Sequence, residues 1–398
     1  MDDSIEIPES PLFMDPETSR CPQATYGEML ARCPVSRMPI TKGLIIAGYE
    51  DVMYCLRHPE IFSSEMSEQM ALGTQRPMIP QQIDPPNQTR YRKILDPQFS
   101  RKKMALIEPA IRKSAIQMIE PLLDQGACDF NQDFAVPLPC ESFLHLMGLP
   151  AGDLDLLIHL KDGIIRPQSR AQNAMDGEEI NRIRKSAGDD IYLYFEDLIK
   201  EREAAPRDDL MGHLLRAEVD GERLSHNEIL DIAFLFILAG LDTVTATLNC
   251  SVAYLASNPG QQEKLTQNPA LIEKAIEEMM RWETPVTGVP RLVKQDVKIS
   301  GHEIKAGEMV LLLLGSANVD PHEFDQPELV DFERARNRHI AFGSGPHRCL
   351  GSHLARMELK VALEEWHKRI PSYRLANDTP LIFSAGIRDV EALPLAWS

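Results

Sequence analysis

The chain has 398 residues, of which 43% are hydrophobic and 26% charged, so it is long enough to bury a large core. Its formal net charge of −18 at pH 7 favours solubility and argues against nucleic acid or an anionic membrane as the main partner. The seven cysteines are an odd number without a CxxC pair, which indicates reduced thiols in a cytosol-like compartment.

The N-terminal part is predicted to begin with an irregular, proline-rich segment over residues 1–34. Its acidic start has neither the basic residues nor the apolar run of a signal peptide, and we expect no membrane anchor. Residues 35–40 and 43–47 predict a strand pair, and residues 50–57 a short helix. Residues 62–83 predict a long loop rich in Met, Gln and Pro, which either forms a flexible pocket wall or fills the core.

A helix is predicted to start at Asp84 and Pro85, with Asp84 as the N-cap and Pro85 in the first turn. Gln88 and Arg92 then fall four residues apart on one helix face. From the residues alone, that face is either solvated or holds a ligand. Further helices are predicted over 104–123 and 136–148, and two more over 152–204, divided by a polar stretch at 166–176.

The most apolar helix is predicted to begin with a capping box at Ser225 and Glu228 and to run to about residue 255. It is apolar nearly all round, so we expect it to be buried. A buried Asp242 beside Thr243, just after Gly240, breaks the rules for such a helix and indicates a functional site. The alternative is that Thr243 bonds back to its own helix and Asp242 makes a local cap.

A charged pair, Glu278 and Arg281, lies three residues apart on the next amphipathic helix. Residues 285–290 predict an extended segment, and Arg291 is predicted to begin the strand that follows.

The loop Phe342–Gly351 places Cys349 among glycines directly before a helical pattern. A helix N-terminus favours a thiolate by about 1–2 kcal/mol, so a permanently ionised sulfur needs more, which a bound metal would provide. The glycines are expected to allow turns and close approach that a Cβ would block. The alternative is a buried structural cysteine in a glycine-rich turn.

Phe342, Gly345, His347, Cys349 and Gly351 are five fixed residue types in ten positions, and their spacing resembles the haem-ligand loop of the cytochrome P450 family. The resemblance implies one mainly α-helical domain over residues 1–398 with a smaller β-rich lobe, and haem between the Cys loop and the long central helix. It implies that Cys349 ligates the haem iron, where a thiolate favours O–O cleavage.

The resemblance also assigns roles to other positions. Asp242 and Thr243 would deliver protons, and Glu278, Arg281 and Arg334 would form a buried structural network. The remaining haem-binding positions would be Gln88, Arg92, Ala239, Gly240, Arg291, Phe342, Gly343, His347 and Gly351. The substrate pocket would be lined by Leu235, Ala239, Val286, Thr287, Gly288 and Val289.

The implied function is that of a haem-thiolate monooxygenase of the soluble bacterial type, cytoplasmic and monomeric, which inserts one atom of O₂ into a mostly apolar small molecule. Electrons would come from NAD(P)H through a reductase and an acidic ferredoxin. The expected docking patch comprises Arg90, Lys93, Arg101, Lys102, Lys103 and Arg348. Two alternatives remain open, a peroxide-driven peroxygenase and a non-catalytic haem-binding sensor, neither of which needs a proton-delivery pair.

Overall fold

The computed structural model describes residues 7–11, 16–39, 41–65, 72–173, 175–219, 221–384 and 386–397. The helices are α1 Pro16–Arg20, α2 Pro22–Arg32, α3 Tyr49–Arg57, α4 Asn87–Leu95, α5 Arg101–Ile119, α6 Pro137–Met147, α7 Leu154–Ile165, α8 Gly177–Ala204, α9 Leu210–Arg216, α10 His226–Ser257, α11 Pro259–Gln267, α12 Ile272–Glu283, α13 Leu314–Ala317 and α14 Ser352–Arg369. The strands are β1 Val35–Arg37, β2 Leu44–Ile46, β3 Phe62–Ser63, β4 Ala127–Asp129, β5 Glu218–Val219, β6 Glu222–Arg223, β7 Val289–Val293, β8 Val297–Ile299, β9 His302–Ile304, β10 Met309–Leu312, β11 Arg374–Leu375 and β12 Pro394–Ala396.

The strands form a small β region beside the helices. The largest sheet has the order β1-β2-β10-β7-β3, in which β2 and β10 run parallel and the other pairs antiparallel. Leu44, Ile46 and Val310 of this sheet pack in an apolar cluster of their own, apart from the main helical core. The predicted strand pair at 35–47 is therefore confirmed as β1 and β2.

Helix α10 runs through the main core. Its N-terminus has the predicted capping box, since Ser225 N donates to Glu228 Oε2 at 2.7 Å and Glu228 N donates to Ser225 Oγ at 3.3 Å. By length and composition α10 could cross a membrane, but 83% of its most apolar window is buried inside the protein, as in a core helix. Glu228 also accepts from Arg90 and Tyr91 at 2.8 Å, which joins the start of α10 to α4.

Two expectations for the N-terminal part need correction. Residues 1–34 are not irregular throughout, because α1 and α2 lie there. Asp84 is not the N-cap of α4; Pro86 holds that position, and the Asp84 carboxylate instead accepts from Ser64 N at 2.9 Å and from the Ser63 hydroxyl.

The predicted 62–83 loop begins with strand β3, and its residues Met66 and Met70 lie outside the described residues. Met78 and Ile79 are buried in the main core, so these two side chains fill it. The helices predicted over 104–123, 136–148 and 152–204 correspond to α5, α6, α7 and α8.

Arg388, in the C-terminal segment, is buried and contacts the end of α1. Its Nε donates to Glu283 Oε2 at 2.7 Å, while its two other nitrogens donate to the carbonyls of Ser19 and Arg20 at the end of α1. A buried cation thus fastens the N-terminal helix to α12 and to the C-terminal segment.

Candidate active site

The loop around Cys349 is shaped by two glycines with left-handed backbone. Gly343 has φ +65° and Gly345 has φ +67°. A Cβ on Gly345 would lie 2.2 Å from the carbonyl oxygen of Leu56, so the loop passes too close to α3 for any side chain. Gly351 differs, because it has φ −79° and no protein atom within 4 Å of a Cβ, so neither its backbone conformation nor contact with the protein requires glycine there.

The Cys349 thiol is exposed on a cavity, and its backbone N–H donates to Phe342 O at 2.8 Å. Enclosure by the surrounding chain raises the pKa of this thiol, and the Gly351 N–H and the cations Arg92, Arg348 and Arg356 offset that rise only in part. The protein alone therefore does not keep the sulfur ionised, as expected from the small helix-dipole contribution. Phe342 lies under Arg356, whose Cζ is 4.4 Å from the ring centroid.

Helix α4 holds the Cys349 loop in place. The buried Gln88 donates from Nε2 to Pro346 O at 2.6 Å, and Arg92 one turn later donates from Nη1 to Arg348 O at 2.8 Å. Arg92 also pairs with Asp96 at 2.7 Å. The shared face of Gln88 and Arg92 is thus confirmed, and it is not simply solvated.

Two cationic or potentially cationic groups beside this loop have the Asp84 carboxylate as a shared anionic neighbour, and neither donates a hydrogen bond to it. Arg291 is 8% exposed, and among the described residues it makes no ion pair; its Nη1 donates to the adjacent Pro290 O at 2.7 Å. Burial lowers its pKa to about 10. His347 has a buried Nε2 without a hydrogen-bond partner, 4.0 Å from Asp84 Oδ1, and burial together with Arg291 lowers its pKa to about 4. An anionic group would satisfy both side chains.

Asp242 on α10 is fully buried and lies in a cluster of charges. Lys161 Nζ is 3.1 Å from its Oδ1, and Arg166 contacts both oxygens, at 2.6 Å and 3.1 Å. Burial acts to raise the pKa of Asp242, but the two cations outweigh it and the net shift is downward. Arg166 also donates to Asp389 Oδ2 at 2.9 Å, so one guanidinium bridges two buried carboxylates.

Thr243 lies at a gap in the packing around α10. Ala239 is exposed and Gly240 and Thr243 are half-buried, in a helix whose neighbouring residues are buried. The Thr243 hydroxyl donates to Ala239 O at 3.1 Å, which is the back-bond considered as the alternative. Helix α10 runs through this region without a break, from His226 to Ser257.

The expected pocket residues on the 286–289 segment sit at the start of β7. Val286 bridges Ile387, and Gly288 lies so close to Leu311 that a Cβ would be 3.0 Å from its Cδ1. The strand begins at Val289, so Arg291 lies in its middle and not at its start. Thr287 and Leu235 are buried.

The structural network predicted at Glu278 is confirmed geometrically. Arg281 donates to both Glu278 oxygens at 2.8 Å and 2.9 Å, and Arg334 Nε lies 3.1 Å from Oε2. Arg281 also donates to three carbonyls, those of Asn318, Pro327 and Leu329. All five guanidinium N–H groups are thus used, which keeps this buried cation satisfied.

Comparison with known proteins decides the family. A model described as Cytochrome P450 matches residues 172–366. The steroid C26-monooxygenase of Mycobacterium tuberculosis is 33% identical over 386 residues, covering 96% of this chain and 94% of its own. The solved structure of PksS from the Bacillus subtilis bacillaene polyketide synthase has a TM-score of 0.88 at 29% identity, covering 97% of this chain and 99% of that one. The chain belongs to the cytochrome P450 family. A P450 structure from Bacillus megaterium in complex with testosterone is also similar, with a TM-score of 0.84 at 29% identity over 94% of this chain and 99% of that one.

The protein is accordingly a P450 monooxygenase with the P450 fold, and haem is its cofactor. The residues around Cys349 fit that group. A thiol opens onto the cavity, and the carboxylates of haem would meet the unpaired Arg291 and the orphaned His347 Nε2. Gln88 and Arg92 hold the Cys349 loop through Pro346 O and Arg348 O, and their contact with haem stays a prediction.

Sequence reasoning missed the partners of Asp242. Lys161 and Arg166 come from α7 and its C-terminal end, and Asp389 from the last segment of the chain. The one local signal was Lys161 itself, a charged residue within the apolar run Leu-Leu-Ile-His-Leu-Lys-Asp-Gly-Ile-Ile. A lone lysine on an apolar helix face requires a buried partner.

The predicted basic docking patch also needs one correction. Arg90 is paired with Glu228 at 2.8 Å and lies 3.7 Å from Glu222, so its charge is largely neutralised. Arg101, Lys102, Lys103 and Arg348 are exposed. Arg101 and Arg348 line a groove of about 580 Å³ between α5, α12 and α14, whose floor includes Met104, Ile276 and Met357.

Proposed function

We propose that this P450 is a single-domain, monomeric enzyme of the cytoplasm that hydroxylates a mostly apolar small molecule with O₂. The observation that carries the proposal is the buried, ion-paired Asp242 directly beside Thr243, where α10 meets the cavity. A buried carboxylate held by two cations is costly to build unless it serves a function. An acid–base group next to a hydroxyl suits proton delivery, which a sensor or a peroxygenase does not need.

An apolar substrate is supported by the character of the expected pocket residues. Leu235, Ala239, Val286 and Val289 are apolar, and Thr243 and Thr287 are polar but uncharged. Such a lining favours molecules without a charged group. Relatives named for steroid and methyl-branched lipid oxidation are consistent with this class of substrate.

Within this proposal, each residue of the site has its own role. The haem, once bound, supplies the oxidising chemistry, while the protein positions it and delivers protons. Cys349 Sγ binds the iron, and Arg291 and His347 bind the propionates. The Thr243 hydroxyl turns from Ala239 O towards the cavity, where it can both accept and donate a hydrogen bond. Asp242 passes protons towards Thr243 Oγ1.

The ion pairs of Asp242 set a condition on this relay. Because Lys161 and Arg166 keep the pKa of Asp242 low, its carboxylate can take up a proton only when one of these cations withdraws. Arg166 has a second buried acceptor in Asp389 and a side chain that is 35% exposed. We infer that Arg166 moves towards Asp389 and solvent when Asp242 is protonated.

The first experiment tests the iron ligand. Reduced holoprotein exposed to carbon monoxide should show the Soret band of a thiolate-ligated haem, and Cys349→Ala should abolish it. Cys55→Ala is the matched control, because Cys55 is a buried thiol on α3 that we assign no role in the site. A thiolate spectrum that persists in Cys349→Ala would contradict the assignment.

The second experiment tests the substrate class. Steroids and methyl-branched fatty acids are titrated into the holoprotein while the haem spectrum is followed for the change of spin state. Turnover is then measured with NAD(P)H, a reductase and a ferredoxin, and separately with hydrogen peroxide alone. Product only in the peroxide reaction would replace the proposal by a peroxygenase.

A further inference from the structure

The segment 72–83 is fixed to α8 by a close backbone crossing. A Cβ on Gly188 of α8 would lie 2.1 Å from Gly73 O, and a Cβ on Gly73 would lie 2.6 Å from Arg184 O. Gly73 also has φ +71°, a conformation that favours glycine. Beside the crossing, Gln75 Nε2 donates to Asp189 Oδ1 at 3.1 Å. The segment therefore rests directly on α8.

Three residues from three different elements meet next to this crossing. Arg76 Nε donates to both oxygens of Asp231 on α10, at 3.1 Å and 2.9 Å. Tyr192 of α8 donates its hydroxyl to Asp231 Oδ1 at 3.0 Å, and the Arg76 Cζ lies 5.1 Å from the Tyr192 ring centroid. The ring of Tyr192 stacks in turn on Phe234, with centroids 5.1 Å apart. We refer to Arg76, Asp231 and Tyr192 as the latch.

The central contact of the latch is the ion pair between Arg76 and the buried Asp231. Asp231 is 4% exposed, and Arg76 is the cation that faces it. A buried carboxylate that loses its cation is strongly destabilised, so this pair resists separation more than an exposed ion pair would. The Arg76 side chain is itself partly exposed, so it can turn from Asp231 towards solvent while Met78 and Ile79 stay in the core.

The latch also lies at the edge of the pocket assigned above. Asp231 is four residues before Leu235 and eight before Ala239 on α10, which places it about 12 Å along the helix axis from Ala239. Residues at four-residue spacing keep to one side of a helix over a few turns. The 72–83 segment and α8 thus join over the same side of α10 that carries the pocket residues.

We propose that Arg76, Asp231 and Tyr192 latch the 72–83 segment to α8 and α10 and so control which ligands reach the pocket and how fast. This proposal depends on the proposed function in one respect only, which is that both place the substrate pocket at the same site. Small ligands pass with the latch closed, whereas bulky ligands require Arg76 to leave Asp231. These residues position the pocket wall and take no part in the chemistry.

The first test measures opening without reference to turnover. Hydrogen–deuterium exchange of the holoprotein is followed by mass spectrometry in Arg76→Gln, Asp231→Asn and Tyr192→Phe. Exchange of amides 72–83 should rise in Arg76→Gln by about tenfold, while amides of α12 and α14 keep their rates. Lys200→Gln is the control, since it breaks an exposed ion pair with Asp197 on the same helix α8.

The second test measures ligand passage with two probes that bind haem iron through an imidazole nitrogen. Imidazole is the small probe, and a bulky azole such as econazole is the large one. In Arg76→Gln both the association and dissociation rates of the bulky azole should rise by about tenfold, and those of imidazole should change less than about twofold. The double variant Arg76→Gln/Asp231→Asn should be no faster than the single ones, because both remove one interaction.

The outcomes separate this proposal from the function above. Unchanged exchange of amides 72–83 together with unchanged azole rates would overturn the latch, even if the carbon monoxide spectrum shows a thiolate. Equal acceleration of both probes would also overturn it, because it would indicate general loosening and no selection by size. Loss of the thiolate spectrum in the unaltered protein would overturn the proposed function, while exchange would still report on the latch.

Discussion

Asp242 is a fully buried residue whose low pKa comes entirely from its neighbours. Lys161 and Arg166 stabilise its charge, so in the observed state it is an ionised carboxylate that resists protonation. The adjacent Thr243 hydroxyl also has a hydrogen-bond partner already, since it donates to Ala239 O. Both groups therefore have to leave a present partner before they can serve the pocket.

Replacement of Thr243 should separate electron consumption from product formation. In Thr243→Ala the hydroxyl that would hold a water in the pocket is lost, while oxygen binding and electron transfer are untouched. NAD(P)H consumption should continue, hydrogen peroxide should accumulate, and hydroxylated product per NAD(P)H should fall by about tenfold or more.

Thr243→Ser keeps the hydroxyl and is the matched control, expected to retain most of the coupling. Asp242→Asn should instead slow total turnover, because it removes the relay itself. Full coupling in Thr243→Ala would indicate that this residue only packs the helix.

Glu358 on α14 is a second buried acid, outside the site assigned above. Burial raises its pKa to about 8, its Oε2 has no hydrogen-bond partner, and Ser142 of α6 is the neighbour that acts against the shift. Between its ordinary value of 4.5 and about 8, the folded protein holds a proton that the unfolded chain has lost. Stability is therefore greatest below this range and declines as pH rises through it, by up to about 1.4 kcal/mol for each pH unit.

Glu358→Gln should remove that decline, because the amide is neutral at every pH. We expect the melting temperature of the variant to approach or exceed that of the unaltered holoprotein at pH 8.5 and to gain nothing at pH 5. Lys360→Gln, an exposed change on the same helix, serves as the control. Parallel pH profiles for Glu358→Gln and the unaltered protein would contradict the assigned pKa.

At the scale of elements, the sequence predicted those features whose residues lie close together along the chain. The capping box of α10, the Glu278–Arg281 pair on α12 and the Cys349 loop each lie within ten residues, and each is found where it was predicted. Partners contributed by distant elements could not be predicted in this way. Arg166 reaches Asp242 from 76 residues away, and Arg76 reaches Asp231 from 155, and neither separation leaves a repeating pattern in the chain.

The same limit explains why the N-cap of α4 was predicted wrongly and why α10 continues through Gly240. Asp84 has the right residue type for a cap, but the tertiary contact with Ser63 and Ser64 takes its carboxylate. Gly240 lowers helix propensity by about 1 kcal/mol, yet α10 stays continuous because most of its other residues are buried in the core.

The Cys349 loop gives a matched pair of glycine substitutions. Gly345→Ala places a Cβ 2.2 Å from Leu56 O at a positive φ, so the loop or α3 has to shift. Gly351→Ala adds the same atom at an ordinary φ with no protein atom near it. We expect Gly345→Ala to lower the free energy of unfolding by about 2–4 kcal/mol and Gly351→Ala by less than about 1.

Chemical denaturation of the two variants, followed by far-ultraviolet circular dichroism, provides the comparison. Haem content is measured separately, because Gly351 is one of the positions assigned to the cofactor. Equal loss of stability in both variants would show that the contact with Leu56 does not constrain the loop.

At the scale of the whole molecule, the net charge of −18 opposes association with an acidic electron donor unless local charge reverses it. Arg101, Lys102, Lys103 and Arg348 supply such a region beside the groove between α5 and α14.

Charge reversal at this groove should slow reduction. With an acidic [2Fe–2S] ferredoxin at low salt, Arg101→Glu/Arg348→Glu should lower the second-order rate of haem reduction by about tenfold or more. The rate of the unaltered protein should fall as salt rises, because the screening length shortens from about 10 Å at 0.1 M to 3 Å at 1 M. Lys185→Glu on α8 is the control, and an equal effect there would point to net charge and not to this groove.

Arg388 imposes an order on the assembly of the protein during synthesis. Arg388 is 369 positions along the chain from Ser19 and 368 from Arg20, the two residues at the end of α1 that it contacts. Closing so long a loop is only slightly more expensive in entropy than closing one half its length, by about 0.6 kcal/mol. The contact nevertheless cannot form until Arg388 has left the ribosome, after every element between α1 and Arg388 has been made. Helix α1 therefore gains this buried cation only after those later elements have been synthesised.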